Sequence, residues 1–148
     1  MTQPENEKII KLFTSSISNY FFLLTKLNNN FKVYGFGENE DNQLGIFEEN
    51  NCYINNPMLI NSLKNLKIKK IICSEFNTFV LEKNNNLFGF GNNCYNQLGI
   101  ESYDENKKTK GEIKEICFFK NKNEKVKKIS LNSSATIFLT SFLFIFFF

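Results

Sequence analysis

Val33-Tyr34-Gly35-Phe36-Gly37-Glu38-Asn39-Glu40-Asp41-Asn42-Gln43-Leu44-Gly45-Ile46 returns, 54 residues later and without a gap, as Leu87-Phe88-Gly89-Phe90-Gly91-Asn92-Asn93-Cys94-Tyr95-Asn96-Gln97-Leu98-Gly99-Ile100. Nine of the fourteen positions are identical, and the first two are conservative exchanges. A fixed period of this length decides architecture before local propensity does, because each unit buries its apolar face only against a neighbour. The flanks repeat as well. Lys67 to Leu81 aligns with Lys125 to Leu139, and a weaker third copy runs from Phe13 to Leu23, with Ser16, Asn19, Phe21 and Leu23 set against Ser74, Asn77, Phe79 and Leu81. This divides the chain into a polar N-terminal tail (1–8), repeats over 9–140 and an apolar Phe-rich tail (141–148). The repeats comprise a partial unit at 9–46, a full one at 47–100 and a partial one at 101–140.

Each unit reads as short antiparallel strands. Ile68, Ile71 and Cys73, then Thr78-Phe79-Val80-Leu81, then Leu87-Phe88-Gly89-Phe90 are brief β-branched or aromatic runs separated by Asn, Lys and Ser. Glu82-Lys83-Asn84-Asn85-Asn86 suits a hairpin, since Asn tolerates left-handed backbone and bonds its own main chain. Pro57 suits the start of an edge strand, where a missing N–H costs nothing. No long 3.6-residue period is present, although Glu5 to Phe13 has room for a helical turn or two. The fold class expected is therefore all-β.

The repeated motif has a mechanical reading. Gly35 and Gly37, and again Gly89 and Gly91, flank a Phe at a strand end, where backbones approach closely while the aromatic points inward. Asn39, Asn42 and Gln43, with Asn93, Asn96 and Gln97, can bond main-chain groups of the loop; Gly45 and Gly99 can take positive φ, and Leu44 and Leu98 plug the core beneath. These roles are structural, and no binding residue is picked out. A dinucleotide reading of Gly35-Phe-Gly37 fails because Glu40 and Cys94 occupy the third glycine position and no helix pattern follows.

Composition removes most chemistry. The 148 residues hold no histidine, and all 18 basic residues are lysine. Without imidazole there is no Ser-His-Asp or Cys-His nucleophile and no His-based zinc site; without guanidinium, bidentate recognition of carboxylate or phosphate is closed. Cys52, Cys73, Cys94 and Cys117 form no Cys-x-x-Cys pair, and the acids at Glu38-Asn39-Glu40-Asp41 and Glu48-Glu49 lack EF-hand spacing. No catalytic residue, metal or cofactor is expected. The polar, acidic start is unlike a signal peptide, and free thiols suit a cytoplasmic or nuclear setting. A net charge of +3 names no partner, although Lys107 to Lys128 holds nine lysines against Glu112, Glu115 and Glu124. A solvated face accounts for that run; contact with phosphate, nucleic acid or an acidic partner is the alternative. Some of the Phe, Asn and Lys excess also looks like an AT-rich coding sequence.

The stretch Val33-Tyr34-Gly35-Phe36-Gly37-Glu38-Asn39 … Asn42-Gln43-Leu44-Gly45 and its copy at 87–99 resemble the repeat of the regulator-of-chromosome-condensation family, V-Y-x-W-G-x-N-x-x-G-Q-L-G. Cys73 to Leu81 resembles that family's preceding G-x-x-H-T/S-x-x-L segment, with Ser for Gly and Asn for His. Phe36 and Phe90 replace Trp, while Asn42 and Asn96 replace Gly, a mild exchange because Asn is the best non-Gly residue for left-handed backbone. The resemblance implies a β-propeller of seven four-stranded blades, of which this chain supplies about two and a half, as an incomplete propeller. Three origins fit that shortfall: a truncated gene model, a fragment of a longer protein, or a self-assembling array.

After Ala135-Thr136-Ile137-Phe138-Leu139-Thr140 the repeat calls for a polar hairpin and another G-F-G, but Ser141 to Phe148 is almost wholly apolar. Translated intron, a buried strand with a hydrophobic tail and a tail anchor are the readings. Counted from Ala135 the tract is 14 residues, short of the roughly 17–25 that span a bilayer, so a membrane role is disfavoured. For function the resemblance implies a non-catalytic module that docks a protein partner. Its alternatives are guanine-nucleotide exchange on a Ran-like small GTPase, or substrate or chromatin docking within a larger ubiquitin ligase or kinase.

Overall fold

Strand-forming runs separated by Asn-rich turns fold into three antiparallel sheets in the computed structural model, which describes residues 7–47, 52–100, 112–121, 123–142 and 145–147. The first sheet is β1 (Lys8–Phe13), β2 (Tyr20–Leu27), β3 (Asn30–Glu38) and β4 (Tyr53–Leu59), hydrogen-bonded in chain order. The second repeats that order with β5 (Ile68–Cys73), β6 (Asn77–Glu82), β7 (Leu87–Gly91) and β8 (Lys114–Glu115). The third comprises β9 (Val126–Leu131), β10 (Thr136–Thr140) and β11 (Ile145–Phe147). A 3-10 turn at Asn61–Leu63 and a one-turn helix at Phe118–Asn121 lie between sheets.

The sheets and the sequence units are offset. The full unit at 47–100 contains the last strand of the first sheet and three strands of the second. Identity is densest where the third strand runs into its loop, so the repeat marks the period without marking where one sheet ends.

Packing follows the period-2 alternation of each strand. Tyr20, Phe22 and Leu24 on β2 turn one face toward Ile71, Cys73, Val80 and Phe90 of the second sheet, forming one buried core. Every residue of β6 is buried, because its other face, Phe79 and Leu81, packs against Val126, Ile129 and Phe138 of the third sheet. Aromatic edge-to-face contacts mark both seams: Phe22 with Phe90 at 6.3 Å and Phe79 with Phe138 at 5.4 Å.

Four expectations change. Lys8–Phe13, which had room for a helical turn, is strand β1, because pairing with β2 outweighs a weak local preference. Pro57 sits inside β4 rather than at its start; β4 is an edge strand and its register against β3 shifts between the Met58–Gly35 and Ile54–Gly37 pairs, the stretch that holds Pro57, so the missing donor is accommodated there. The weaker third copy is displaced by one residue: Tyr20 faces Gly37 as Asn77 faces Gly91, and Phe22 faces Gly35 as Phe79 faces Gly89. Phe22 and Leu24, not Phe21 and Leu23, thus occupy the places of Phe79 and Leu81. A one-residue slip exchanges the two faces of a strand, and accordingly Phe22 is buried while Phe21 is half-buried and stacks on Phe36 at 5.1 Å. The cause is a longer loop: Phe13 pairs with Phe22 but Ile72 pairs with Phe79, so an ungapped match runs out of step.

The fourth concerns the C-terminal tract, for which a translated intron, a buried strand with a hydrophobic tail and a tail anchor are the readings. Residues 145–147 pair with β10 as a third strand, Ile145 opposite Leu139 and Phe147 opposite Ile137. In the second sheet Leu87 faces Leu81 and Gly89 faces Phe79. Register therefore puts Ile145 at the level of Leu87 and Phe147 at that of Gly89. Residues 143, 144 and 148 lie outside the described residues, as do residues 1–6, Glu48-Glu49, and Lys107, Lys108, Lys110 and Lys122.

Candidate functional site

The two copies of the motif build the same loop at the same end of neighbouring sheets. Asn39 is buried and acts as a clamp: its Nδ2 donates to the carbonyl of Ile46 at 2.8 Å, and its Oδ1 accepts from the backbone N–H of Leu44 at 3.0 Å. Asn93 reproduces both bonds with Ile100 and Leu98 at 2.8 and 3.0 Å. Asn42 and Asn96 both sit at φ 59°, the left-handed region, and Gly45 and Gly99 follow at φ 67° and 65°. The side-chain oxygen of Gln43 accepts from the N–H of Asp41 at 2.9 Å, and that of Gln97 from Tyr95 at 3.0 Å. Leu44 and Leu98 are fully buried, above Gly35 and Gly89 respectively.

Gly37 and Gly91 are fixed by close approach. Their φ values are 110° and 106°, and a Cβ would run into the carbonyl oxygen of Asn19 at the first position and of Phe76 at the second. Neither position has room or backbone freedom for another residue.

The motif's polar groups are thus consumed holding the loops, which leaves other side chains to face outward. Phe47 beside the first loop and Tyr95 within the second are largely exposed, as is Ile17 on the loop that enters β2 at the same end. Bridges between sheets keep these loops in fixed relation: Asn92 Nδ2 donates to Asp41 Oδ1 at 2.9 Å, Ser133 Oγ to Glu75 Oε2 at 3.0 Å, and Gln97 Nε2 to the carbonyl of Ser133 at 3.3 Å. Sequence reasoning named Gln97 for its loop but passed over the bridging roles of Asp41, Glu75, Asn92, Ser133 and Tyr20, whose phenol donates to the carbonyl of Asn77. Asp41 and Asn92 stand where the two copies of the motif differ and the others lie outside it, so only the spatial pairing of the sheets exposes them.

Titration offers little chemistry. Burial pushes the Cys73 thiol up to about 12 and the Tyr20 phenol well above its ordinary range. The Glu7 carboxyl is held below its usual value, chiefly by the Thr25 hydroxyl, with Lys32 and Tyr34 assisting. Among the described residues no three acidic or cysteine side chains gather as a metal site, and no helix is long and apolar enough to cross a membrane.

Repeated four-stranded antiparallel sheets, packed face to face with the same loop closing each third strand, define consecutive blades of a β-propeller. The profile of the regulator of chromosome condensation (RCC1) repeat matches residues 32–81. The probable E3 ubiquitin-protein ligase HERC4 of Homo sapiens is 41% identical over 70 residues, which cover 47% of this chain and 6% of that protein. The human X-linked retinitis pigmentosa GTPase regulator is 30% identical over 114 residues, covering 77% of this chain and 10% of the relative. The crystal structure of yeast RCC1 (Prp20) bound to Kap60 superposes with a TM-score of 0.69 at 20% identity, over 95% of this chain and 29% of that one. The chain carries blades of the RCC1 repeat family, and it spans a tenth or less of the two curated relatives' lengths.

Proposed function

We propose that these blades are a non-catalytic docking module that binds a protein through the loop end of the sheets. The observation that carries this is the division of labour in the loops: Asn39, Gln43, Asn93 and Gln97 are buried and bonded internally, while Phe47 and Tyr95 project from adjacent blades. Rigid loops presenting exposed aromatics over a bridged base suit protein recognition, because little side-chain or loop entropy is lost on binding. The relatives agree in kind. Prp20p of Saccharomyces cerevisiae has characterised binding properties toward Gsp1p and histones, and another relative is a GTPase regulator by name.

Purified Gsp1p-type GTPase and core histones are the probes, with the full chain and its Phe47→Ser/Tyr95→Ser double variant. Saturable binding of either probe that weakens by about tenfold in the double variant supports docking through this end, since a central aromatic contributes on the order of 1–2 kcal/mol or more. Binding to neither, or equal binding by both forms, overturns it. Accelerated GDP release from the GTPase would replace docking with nucleotide exchange.

A further inference from the structure

The first strand of each sheet carries one lysine pattern that the loop-end reading leaves unused. Lys8-Ile9-Ile10-Lys11 on β1, Lys67-Ile68-Lys69-Lys70 leading into β5 and Lys125-Val126-Lys127-Lys128 leading into β9 are structural equivalents. The pairing register breaks at the same place in all three: between Ile9 and Lys11, between Ile68 and Lys70, and opposite Lys127, where Val126 and Lys128 pair with Thr140 and Leu139. Such a bulge bends the strand locally and re-aims the side chains around it. All eight lysines are exposed.

Two of these strands, β1 and β5, also lie where the first two sheets meet. Of the strand pairs drawn from different sheets, β1 and β5 approach each other most extensively. The neighbouring carboxylates are engaged or buried elsewhere. Glu7 is taken by Thr25, Lys32 and Tyr34; Glu82 accepts from the Lys67 N–H and from Asn86 Nδ2; Glu124 is buried and its Oε2 has no partner among the described residues. Among the described residues the ion pairs of Lys32 with Glu7 and of Lys114 with Glu112 involve none of the eight lysines, and Lys11 lies over the Phe13 ring.

We propose that the first strands form a binding site for a compact polyphosphate, held by Lys8, Lys11, Lys67, Lys70, Lys125 and Lys128. An ammonium is a compact point charge with three donors and suits phosphoryl oxygens, whereas planar carboxylates are the preferred partners of arginine forks, which this chain does not have. Each phosphoryl group carries about −1.5 to −2 charge, so a few of them balance a cluster that would take many acidic side chains. Four of these six lysines come from β1 and β5, which lie against each other, and β9 holds the same place in the next sheet, which favours a compact ligand over an extended nucleic acid. Phe13, the aromatic beside Lys11, is a buried core residue, so it offers no ring for base stacking.

The probe is myo-inositol hexakisphosphate, titrated calorimetrically into the full chain. One-to-one binding is expected, weakening about tenfold or more between about 50 and about 200 mM salt as counterions are released. Lys70→Gln/Lys128→Gln should weaken it by about tenfold, the equivalent of about 1.4 kcal/mol. Lys64→Gln/Lys114→Gln, which alters exposed lysines off the first strands, should leave it within about twofold. Far-ultraviolet circular dichroism checks that both variants fold. No binding below millimolar probe, equal losses in the two variants, or tighter binding of an acidic peptide or single-stranded DNA would each overturn the proposal.

Discussion

Tyr20 of the first sheet and Thr78 of the second are joined across their seam: the Tyr20 hydroxyl lies 2.9 Å from the Thr78 hydroxyl and 2.8 Å from the Asn77 carbonyl, and its one proton is shared between these two acceptors. Thr78 passes the connection on by donating to the Gln43 carbonyl at 2.8 Å, so the loop motif of one blade is fastened to the core strand of the next. Removing only the phenolic oxygen tests this link. Tyr20→Phe keeps the edge-to-face contact of ring 20 with Phe22 and is expected to destabilise the fold by about 1–2 kcal/mol, the range for losing one buried hydrogen bond. Urea unfolding monitored by circular dichroism measures it.

The next seam contrasts with the first. Register puts Asn77 where Tyr20 stands and Thr136 where Thr78 stands, yet Asn77 Nδ2 and Thr136 Oγ1 are buried with no partner among the described residues. A short amide has replaced a long phenol and does not reach across. Thr136→Val should therefore be neutral or stabilising by up to about 1 kcal/mol, because it deletes an unsatisfied hydroxyl at similar volume. Thr78→Val should cost about 1–3 kcal/mol, since it leaves the Gln43 carbonyl without its donor. Equal effects at the two sites, in the same unfolding assay, would contradict the assignment.

Much of this was legible beforehand, and the failures have one cause. The repeat at 33–46 and 87–100 announces itself because its residues are fixed by backbone geometry: Asn42 and Asn96 adopt the same φ, and Gly37 and Gly91 meet the same kind of carbonyl wall. Positions fixed by packing drift more freely. The β2 copy slipped by one residue because loop length between β1 and β2 is under little constraint, and a slip of one reverses inside and outside. Phe36 shows the limit again: it matches Phe90 in sequence, but Phe90 is wholly buried against Phe22 whereas Phe36 is half-buried on the outer face of the first sheet. Tyr20 and Ser133 lie outside the repeated motif and Asn92 at one of its unmatched positions, because their partners belong to another blade.

The loop clamps predict a sharp asymmetry among asparagines. Asn39→Ala or Asn93→Ala removes two bonds at once and leaves a buried N–H and a buried carbonyl unpaired, so each should cost about 2–4 kcal/mol. Asn42→Gly or Asn96→Gly only exchanges one left-handed residue for the one best suited to that geometry, and should be within about 0.5–1 kcal/mol of neutral on the stabilising side. Thermal melting of the four variants separates the two roles.

The cysteines make the last prediction, and it concerns both reactivity and pH. Cys73 is buried on β5, and its thiol stays protonated up to about 12 because burial disfavours the thiolate; Cys52 and Cys117 are exposed. Since the thiolate is the reacting species, a disulfide reagent near pH 8 should modify Cys52 and Cys117 readily and spare Cys73 until the chain unfolds. Mass spectrometry of the modified peptides reads this directly. The same raised value fixes the sign of the pH dependence. Above the ordinary thiol value of 9.0 the unfolded chain releases a proton that the folded chain retains, so stability is full below that point and falls as pH rises toward about 12. Tyr20, whose phenol is also raised by burial, adds to the loss above its ordinary value of 10.0. Cys73→Ala should flatten the decline just above pH 9 and leave the part above about 10 to which Tyr20 contributes. A decline unchanged by that substitution would place the titrating group elsewhere.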